Sequence, residues 1–532
     1  MNLVHLSRQL EDERVSLQAD LDARKTQSER NKLGQFATPG ALADEILEYS
    51  FALLPKASEV SFLDPGIGTG AFYSAFRNTF PENRISDALG FEIDSHYNNP
   101  ASKLWSNSSL TLIHGDFTKQ VPNPRFNLII CNPPYVRHHH LENAEKARLQ
   151  RVSFQASGMK LSGLAGLYCH FIGLSHAWMK EGGIAGWLIP SEFMDVNYGR
   201  EIKRYLLNEV TLLSIHRFDP NDVQFSDALV SSAVVFFKKS FPQTDHLVTF
   251  SFGGTLLKPR LSSKIQADDL ANESKWTRFP KDKVRIKENN PTLSDFFQIK
   301  RGIATGDNGF FILNREQIES RGLPIEAFKP ILPSPRYLPE NEILADSSGL
   351  PLIERQLFVL DTKLPISEIK EIYPSLFEYL EQAKSRGTLE RYICLNRKPW
   401  YSQDNRPPPP IVCTYLGRSD TKSGHPFRFI LNNSNATIAN VYLAMYPIRI
   451  LARALECDPN LIRTVWRILN QIAPNQLLEE GRVYGGGLHK LEPKELANVD
   501  ATTIAELIPN FQEISRPRQA YLFGDSQDAF GQ

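Results

Sequence analysis

The apolar run Phe126–Cys131 ends abruptly on Asn132-Pro133-Pro134-Tyr135. It reads as a buried parallel strand, because its apolar residues do not alternate with polar ones. The two prolines can continue neither strand nor helix. They fix the backbone and remove two N–H donors, which leaves nearby carbonyls without ladder partners. Asn132 adds a side-chain acceptor and two donors to this corner, and Tyr135 adds a flat ring. Open α/β sheets bind ligands at the carboxyl ends of their strands, where such a rigid, acceptor-rich corner would lie.

Upstream, Asp64-Pro65-Gly66-Ile67-Gly68-Thr69-Gly70 separates a short apolar run from a helical pattern that begins at Ala71. Glycines between a strand and a helix let the backbone approach a ligand at the helix N-terminus. The spacing meets neither the dinucleotide fingerprint nor the P-loop. An acid opens the loop instead, which repels phosphate and suits a cationic ligand. Glu92 ends the next strand pattern, where a carboxylate can accept from both hydroxyls of a ribose. Asp116 ends the third, where it can accept from an exocyclic amine, with Phe117 beside the ring. Each acid alone is an ordinary strand-end residue. Together with the Asn-Pro-Pro-Tyr corner they point to an adenosine carrying a positive sulfonium, which is S-adenosylmethionine.

Positioning these residues requires a scaffold of alternating elements. Strand patterns (ALGFEID, LTLIHGD, FNLIIC, GGIAGWLIP, LLSIHRF, SSAVVFFKK) interleave with helical ones (ALADEILEYSFALL, GLYCHFIGLSHAWMK, REIKRYLL). The expected fold class is α/β, a doubly wound, mostly parallel sheet. Thr38 is the candidate N-cap of the helix after Pro39. Residues 1–30 carry leucines among many charges and predict amphipathic helices that cover something. The expected division is a helical segment 1–30, a catalytic domain 31–245, a charged connector 246–290, and an irregular mixed domain 291–532 rich in Pro, Gly and aromatics.

Bulk properties narrow the class. The chain has 532 residues, 60 Lys and Arg against 60 Asp and Glu, and 41% hydrophobic residues. That length predicts more than one domain, and the composition is that of a soluble globular protein. There is no apolar run of membrane-spanning length and no signal-peptide core. Five scattered cysteines, none in a C-x-x-C pair, suit the cytoplasm and argue against a zinc ribbon. Zero net charge gives no global sign of nucleic acid, but residues 384–428 hold nine Lys or Arg against three acids. Tyr392, Trp400, Tyr401, Tyr415, Phe427 and Phe429 are interleaved there, which reads either as a basic binding surface or as a solvated loop over core aromatics. His138, His139 and His140 cannot easily converge on one ion, so no metal is expected. Cys131, at the end of an apolar strand with no base beside it, reads as core packing.

In this order the motifs resemble gamma-class N6-adenine DNA methyltransferases of type II restriction–modification systems. FATP (36–39) resembles the segment closing over the methionine part of the cofactor, here Phe36 and Thr38. DPGIGTG resembles the glycine loop (Asp64, Gly66, Gly68), FEID the ribose acid (Glu92), GDF the adenine site (Asp116, Phe117), and NPPY the catalytic tetrapeptide. Ile67 is a departure, since that position is often small or polar. The resemblance implies a Rossmann-like S-adenosylmethionine-dependent domain and a C-terminal target-recognition domain, with RGIATGDNGFF (301–311) and YGGGLHKLEPKEL (484–496) at its start and end. It also implies double-stranded DNA as partner, a cognate restriction endonuclease as genetic partner, and a monomer acting on one strand at a time.

On that reading Asn132 and the Pro133 carbonyl are catalytic, each accepting one N6 hydrogen, and Tyr135 stacks on a flipped base with Phe225 as a second aromatic. Arg397, Arg406, Arg418 and Arg428 are candidate DNA contacts, to bases or to phosphates. The same corner also serves enzymes that methylate RNA bases, a protein glutamine or cytosine N4. A single-chain restriction enzyme is disfavoured by the lack of an acidic-pair-plus-lysine cluster, and a non-catalytic DNA-binding protein by the intact acids.

Overall fold

A computed structural model describes residues 3–56, 58–123, 125–219, 231–280, 290–418, 425–484 and 488–508. Its largest sheet has nine strands: β1 (Val60–Asp64), β2 (Ile85–Glu92), β3 (Leu110–His114), β4 (Phe126–Cys131), β5 (Met179–Pro190), β6 (Thr211–Arg217), β7 (Ser232–Lys238), β8 (Leu247–Gly254) and β9 (Pro259–Gln266). The spatial order is β3-β2-β1-β4-β5-β7-β6-β8-β9. Strands β3 to β5 pair in parallel. β7 runs antiparallel to both β5 and β6. Strand order reverses between β1 and β4, and such a switch point opens a crevice at the carboxyl ends. Asp64 ends β1 and Asn132 follows β4, so the two motifs flank that crevice.

Successive side chains of a strand point to opposite faces, and here both faces are covered. Leu63, Ile129 and Trp187 pack on one side with residues of the helices Leu167–Ser175 and Arg200–Asn208. Phe62, Leu128, Ile130 and Leu188 pack on the other with α3 (Gly40–Leu53) and α4 (Ala71–Thr79). Burial on both sides is why FNLIIC reads as a continuous apolar run. α3 buries Leu42, Ala43, Ile46, Leu47 and Ser50, one face at helical spacing. Ahead of it lie α1 (Leu3–Ala23) and α2 (Gln27–Leu33). α5 (Ser95–Leu104) follows β2.

The chain divides into two units, Met1–Ile286 with Arg482–Gly487, and Lys287–Gly481 with Leu488–Gln532. The expected connector 246–290 is corrected by this arrangement. Residues 247–266 form β8 and β9, which extend the sheet. β9 is an edge strand with Arg260, Leu261 and Lys264 exposed, and charge on an edge blocks further pairing but resembles a linker in sequence. The second unit is mixed, as expected. It holds a five-stranded sheet in the order Phe297–Arg301, Tyr442–Pro447, Ile411–Thr414, Phe429–Asn432, Glu342–Ile343. A four-stranded sheet lies beside it in order Ile312–Leu313, Leu357–Leu360, Phe328–Leu332, Thr437–Ile438. Among the described residues no helix is long and apolar enough to cross a membrane.

Phe62 is fully buried and stacks on Phe76 with ring centroids 4.7 Å apart. Phe62→Ala should therefore destabilise the first unit by ~3–5 kcal/mol, read as an earlier melting transition in calorimetry.

Candidate active site

The Asn-Pro-Pro-Tyr corner is built by two segments running in opposite directions. Gly34 lies at φ 65°, left-handed backbone that favours glycine, and its carbonyl accepts the Tyr135 N–H at 3.2 Å. A Cβ on Gly34 would sit 2.4 Å from the Tyr135 nitrogen, so no side chain fits. Further along, the Asn132 Nδ2 donates to the Phe36 carbonyl at 3.0 Å and to the Thr38 hydroxyl at 3.2 Å. A carbonyl can only accept, so these bonds settle which end of the amide is nitrogen. The Asn132 Oδ1 is left buried with no hydrogen-bond partner. Tyr135 donates its hydroxyl to the Leu188 carbonyl at 3.0 Å, which fixes its ring 5.7 Å from that of Phe36.

Thr38 is not the helix cap expected from the sequence. Pro39 occupies the N-cap position of α3 without a side-chain bond, and the Thr38 hydroxyl serves Asn132 instead.

Beside the corner lies a cleft lined among others by Thr38, Asp64, Gly66, Gly68 and Asn132. Gly68 adopts φ 56°, and its N–H donates to Glu92 Oε2 at 3.1 Å. Glu92 Oε1 accepts the Asp94 N–H at 2.8 Å, and Asp64 Oδ1 accepts the Gly66 N–H at 3.1 Å. Burial pushes the carboxyls of Asp64 and Glu92 up to about 7, against the pull of those N–H groups. Two such acids beside a glycine loop fit a cationic ligand, whose charge would favour their ionised forms. Ile67 fits because β2 offers Gly90 opposite it; a Cβ there would meet the Ile67 Cδ1 at 2.4 Å.

Asp116 accepts from the Thr118 N–H and hydroxyl at 2.9 and 2.7 Å. Phe117 is 3% exposed and packs against Phe91, Phe171 and Trp178, within the core rather than among the residues lining this cleft. Cys131 is fully buried, and burial drives its thiol well above the usual range. His138–His140 form a single 3-10 turn, and among the described residues no group of His, Cys, Asp and Glu is placed to hold a metal. Phe225 lies outside the described residues.

Most of the basic aromatic stretch belongs to the second unit's core. Tyr401, Tyr415, Phe427 and Phe429 are at most 3% exposed, whereas Tyr392 is 81% exposed. Arg397 donates to the carbonyls of Ala304 and Thr305, and Arg428 to those of Leu338, Pro339 and Glu340. Arg406 bonds the Arg301 carbonyl and Asp404. Arg418 is exposed on a strand, Leu416–Arg418, that pairs antiparallel with Leu488–Lys490. The sequence reading missed Gln18 of α1, which also lines the cleft. Nothing in its local pattern marks it, because its partner Thr69 is 51 positions away.

The raised carboxyls set a pH dependence. A carboxyl whose folded value exceeds its unfolded one stabilises the fold below about 4 and loses that contribution as pH climbs through about 7. The first unit, free of ligand, should melt higher at about pH 5.5 than at about pH 8. Asp64→Asn, which removes one of the two acids, should narrow the difference in differential scanning fluorimetry; an unchanged difference would sink the assignment.

Residues 69–224 match the Eco57I restriction-modification methylase family, and residues 280–521 match the C-terminal domain of the type II methyltransferase M.Eco57I. The type II methyltransferase M.XamI of Xanthomonas campestris pv. amaranthicola is 26% identical over 486 residues, covering 90% of this chain and 86% of the relative. M.AccI of Acinetobacter calcoaceticus, also a type II methyltransferase, is 24% identical over 497 residues, covering 90% and 87%. A release factor glutamine methyltransferase of Caulobacter vibrioides is 28% identical over only 103 residues, 19% of this chain and 35% of that one. Similar in both units to such relatives, the chain is a type II restriction–modification methyltransferase that uses S-adenosylmethionine.

Proposed function

We propose that the protein methylates the N6 amino group of an adenine flipped out of double-stranded DNA. The observation that carries this reading is the buried, unpartnered Asn132 Oδ1. An unpaired buried acceptor costs about 1–3 kcal/mol and is retained where a ligand supplies its donor. An exocyclic amine has two hydrogens to give, and the corner offers this oxygen and the rigid Pro133 carbonyl.

When bound, S-adenosylmethionine supplies an electrophilic methyl group on a positive sulfur. The chain's own residues prepare the nucleophile. The N6 lone pair of adenine is delocalised into the ring and attacks poorly. With each N6 hydrogen accepted by a fixed oxygen, the nitrogen moves toward tetrahedral geometry and its lone pair becomes available. Acceptors held in place before the substrate arrives stabilise the transition state with little reorganisation. Asn serves better than Asp, because it offers an oxygen without a charge and anchors itself through its NH2.

Flipping costs a few kcal/mol. Stacking on Tyr135, whose hydroxyl is tied to Leu188, offsets roughly 1–3 kcal/mol of it. Asp64 and Glu92 serve the cofactor, with Asp116 toward its adenine and Phe117 backing that end from the core. The second unit reads the target site, with Arg418 as the exposed one of its four candidate arginines. The protein then acts as a monomer that protects DNA sites from a cognate endonuclease. Glutamine methylation is the weaker reading, since likeness to such an enzyme covers 19% of the chain and leaves the second unit unexplained.

Incubation with S-adenosylmethionine and mixed-sequence plasmid, followed by nucleoside mass spectrometry, tests the reading. N6-methyldeoxyadenosine is the expected product, N4-methyldeoxycytidine would correct the base, and no methylated nucleoside would reject DNA as substrate. Asn132→Ala should lower kcat by about 10²–10³ with cofactor affinity kept, by analogy with loss of one fixed transition-state group. An equal loss of cofactor binding would refute the role given to Asn132.

A further inference from the structure

Among the described residues lining the cleft, Gln18 is the one that belongs to the N-terminal helix. Its Oε1 accepts the Thr69 hydroxyl at 2.6 Å, and Thr69 belongs to the glycine loop. Its Nε2 donates one hydrogen to Asp22 Oδ1 at 3.0 Å. An amide nitrogen carries two hydrogens, so a second donor remains to be used. Behind this pair stands Arg14, 2% exposed, which is held by Glu11 at 2.8 and 2.6 Å and donates to Thr69 Oγ1 at 3.3 Å.

The helix is pinned further along as well. Tyr97 donates its hydroxyl to Asp22 at 2.7 Å, and His96 bonds the Leu21 carbonyl at 2.9 Å. Lys25, just beyond the helix, pairs with Asp94. α1 therefore bridges the glycine loop and α5, and Gln18 is placed by contacts on both.

The walls of the cleft differ in charge preference. Asp64 lines the strand-end side, with Glu92 behind it on the Gly68 N–H, whereas the α1 side offers an amide donor, with the Arg14–Glu11 pair behind it. A sulfonium has three substituents. On the reading above its methyl faces Asn132, and its adenosyl arm runs toward Glu92 and Asp116. The third arm, an amino acid with a carboxylate, is left with the wall formed by Gln18, Thr38 and Thr69.

We propose that Gln18, set by Thr69, binds the carboxylate of the cofactor's amino-acid arm, which makes α1 part of the cofactor site. The proposal rests on the cofactor assignment, and its test separates the two. Titration calorimetry would compare S-adenosylhomocysteine, which has the amino-acid arm, with 5′-methylthioadenosine, which lacks it. Gln18→Ala should weaken S-adenosylhomocysteine about tenfold, the loss of one hydrogen bond to a charged group, and leave methylthioadenosine within about twofold. Gln18→Glu keeps the size and the acceptor for Thr69 but sets like charges together, and should weaken only the first ligand, by more. Equal losses for both ligands mean that Gln18 only holds the loop in shape, and no loss for either means that it does not touch the arm; each result overturns the proposal. Failure of the wild-type protein to bind either ligand would instead overturn the cofactor reading beneath it.

Discussion

The candidate site depends on the direction of one amide. Asn132 gives both hydrogens of its nitrogen to the Phe36–Thr38 segment, so its oxygen has only one way to face. Without those acceptors the side chain could rotate and satisfy its oxygen elsewhere, and the corner would lose its buried acceptor. The prolines, the left-handed glycine at 34 and the Tyr135 anchor on Leu188 all serve to hold that amide's surroundings still. Rigidity of this kind is costly in a loop. It is affordable here because β4 and β5, which deliver the corner and its anchor, are buried in the middle of the sheet.

The electrostatics follow the same plan of prior placement. Asp64 and Glu92 are withdrawn from water by the packing that shapes the glycine loop, and each is steadied by a backbone N–H of that loop. Burial raises both carboxyls toward neutrality, so the loop carries less negative charge in its ligand-free state than its sequence indicates. A bound cation would restore the charge. Loop geometry and ligand charge are thereby coupled through the same two side chains.

Much of this was legible in the sequence, for physical reasons that also explain the misses. A parallel strand buried on both faces must be apolar throughout, and a ligand-binding turn after it must break that run; both signals are local. The first-unit sheet, the glycine loop and the position of the Asn-Pro-Pro-Tyr corner could be read on that basis. The β8–β9 pair could not, because an edge strand carries the charges of a linker. Thr38 was misread because a hydroxyl before a helix satisfies a cap rule equally well whether it turns to its own helix or to Asn132. In the second unit, aromatics interleaved with arginines look alike whether they face solvent or the core. Only the carbonyls around Arg397 and Arg428 reveal that those guanidiniums brace their own unit. Gln18 was invisible because Thr69, its partner at the cleft, is distant in sequence.

The facing segments at the corner also carry a counting constraint. Gly34 meets Tyr135 and Thr38 meets Asn132, so the four-residue step on one strand of chain spans the same interval as the three-residue step on the other. Each stretch is tied at both ends and has no slack. One residue added or removed between Gly34 and Thr38 would move the Asn132 acceptors out of reach, whereas the same change in an exposed turn would be absorbed. The span from 34 to 38 should therefore keep its length, tied as it is to Tyr135 at one end and Asn132 at the other.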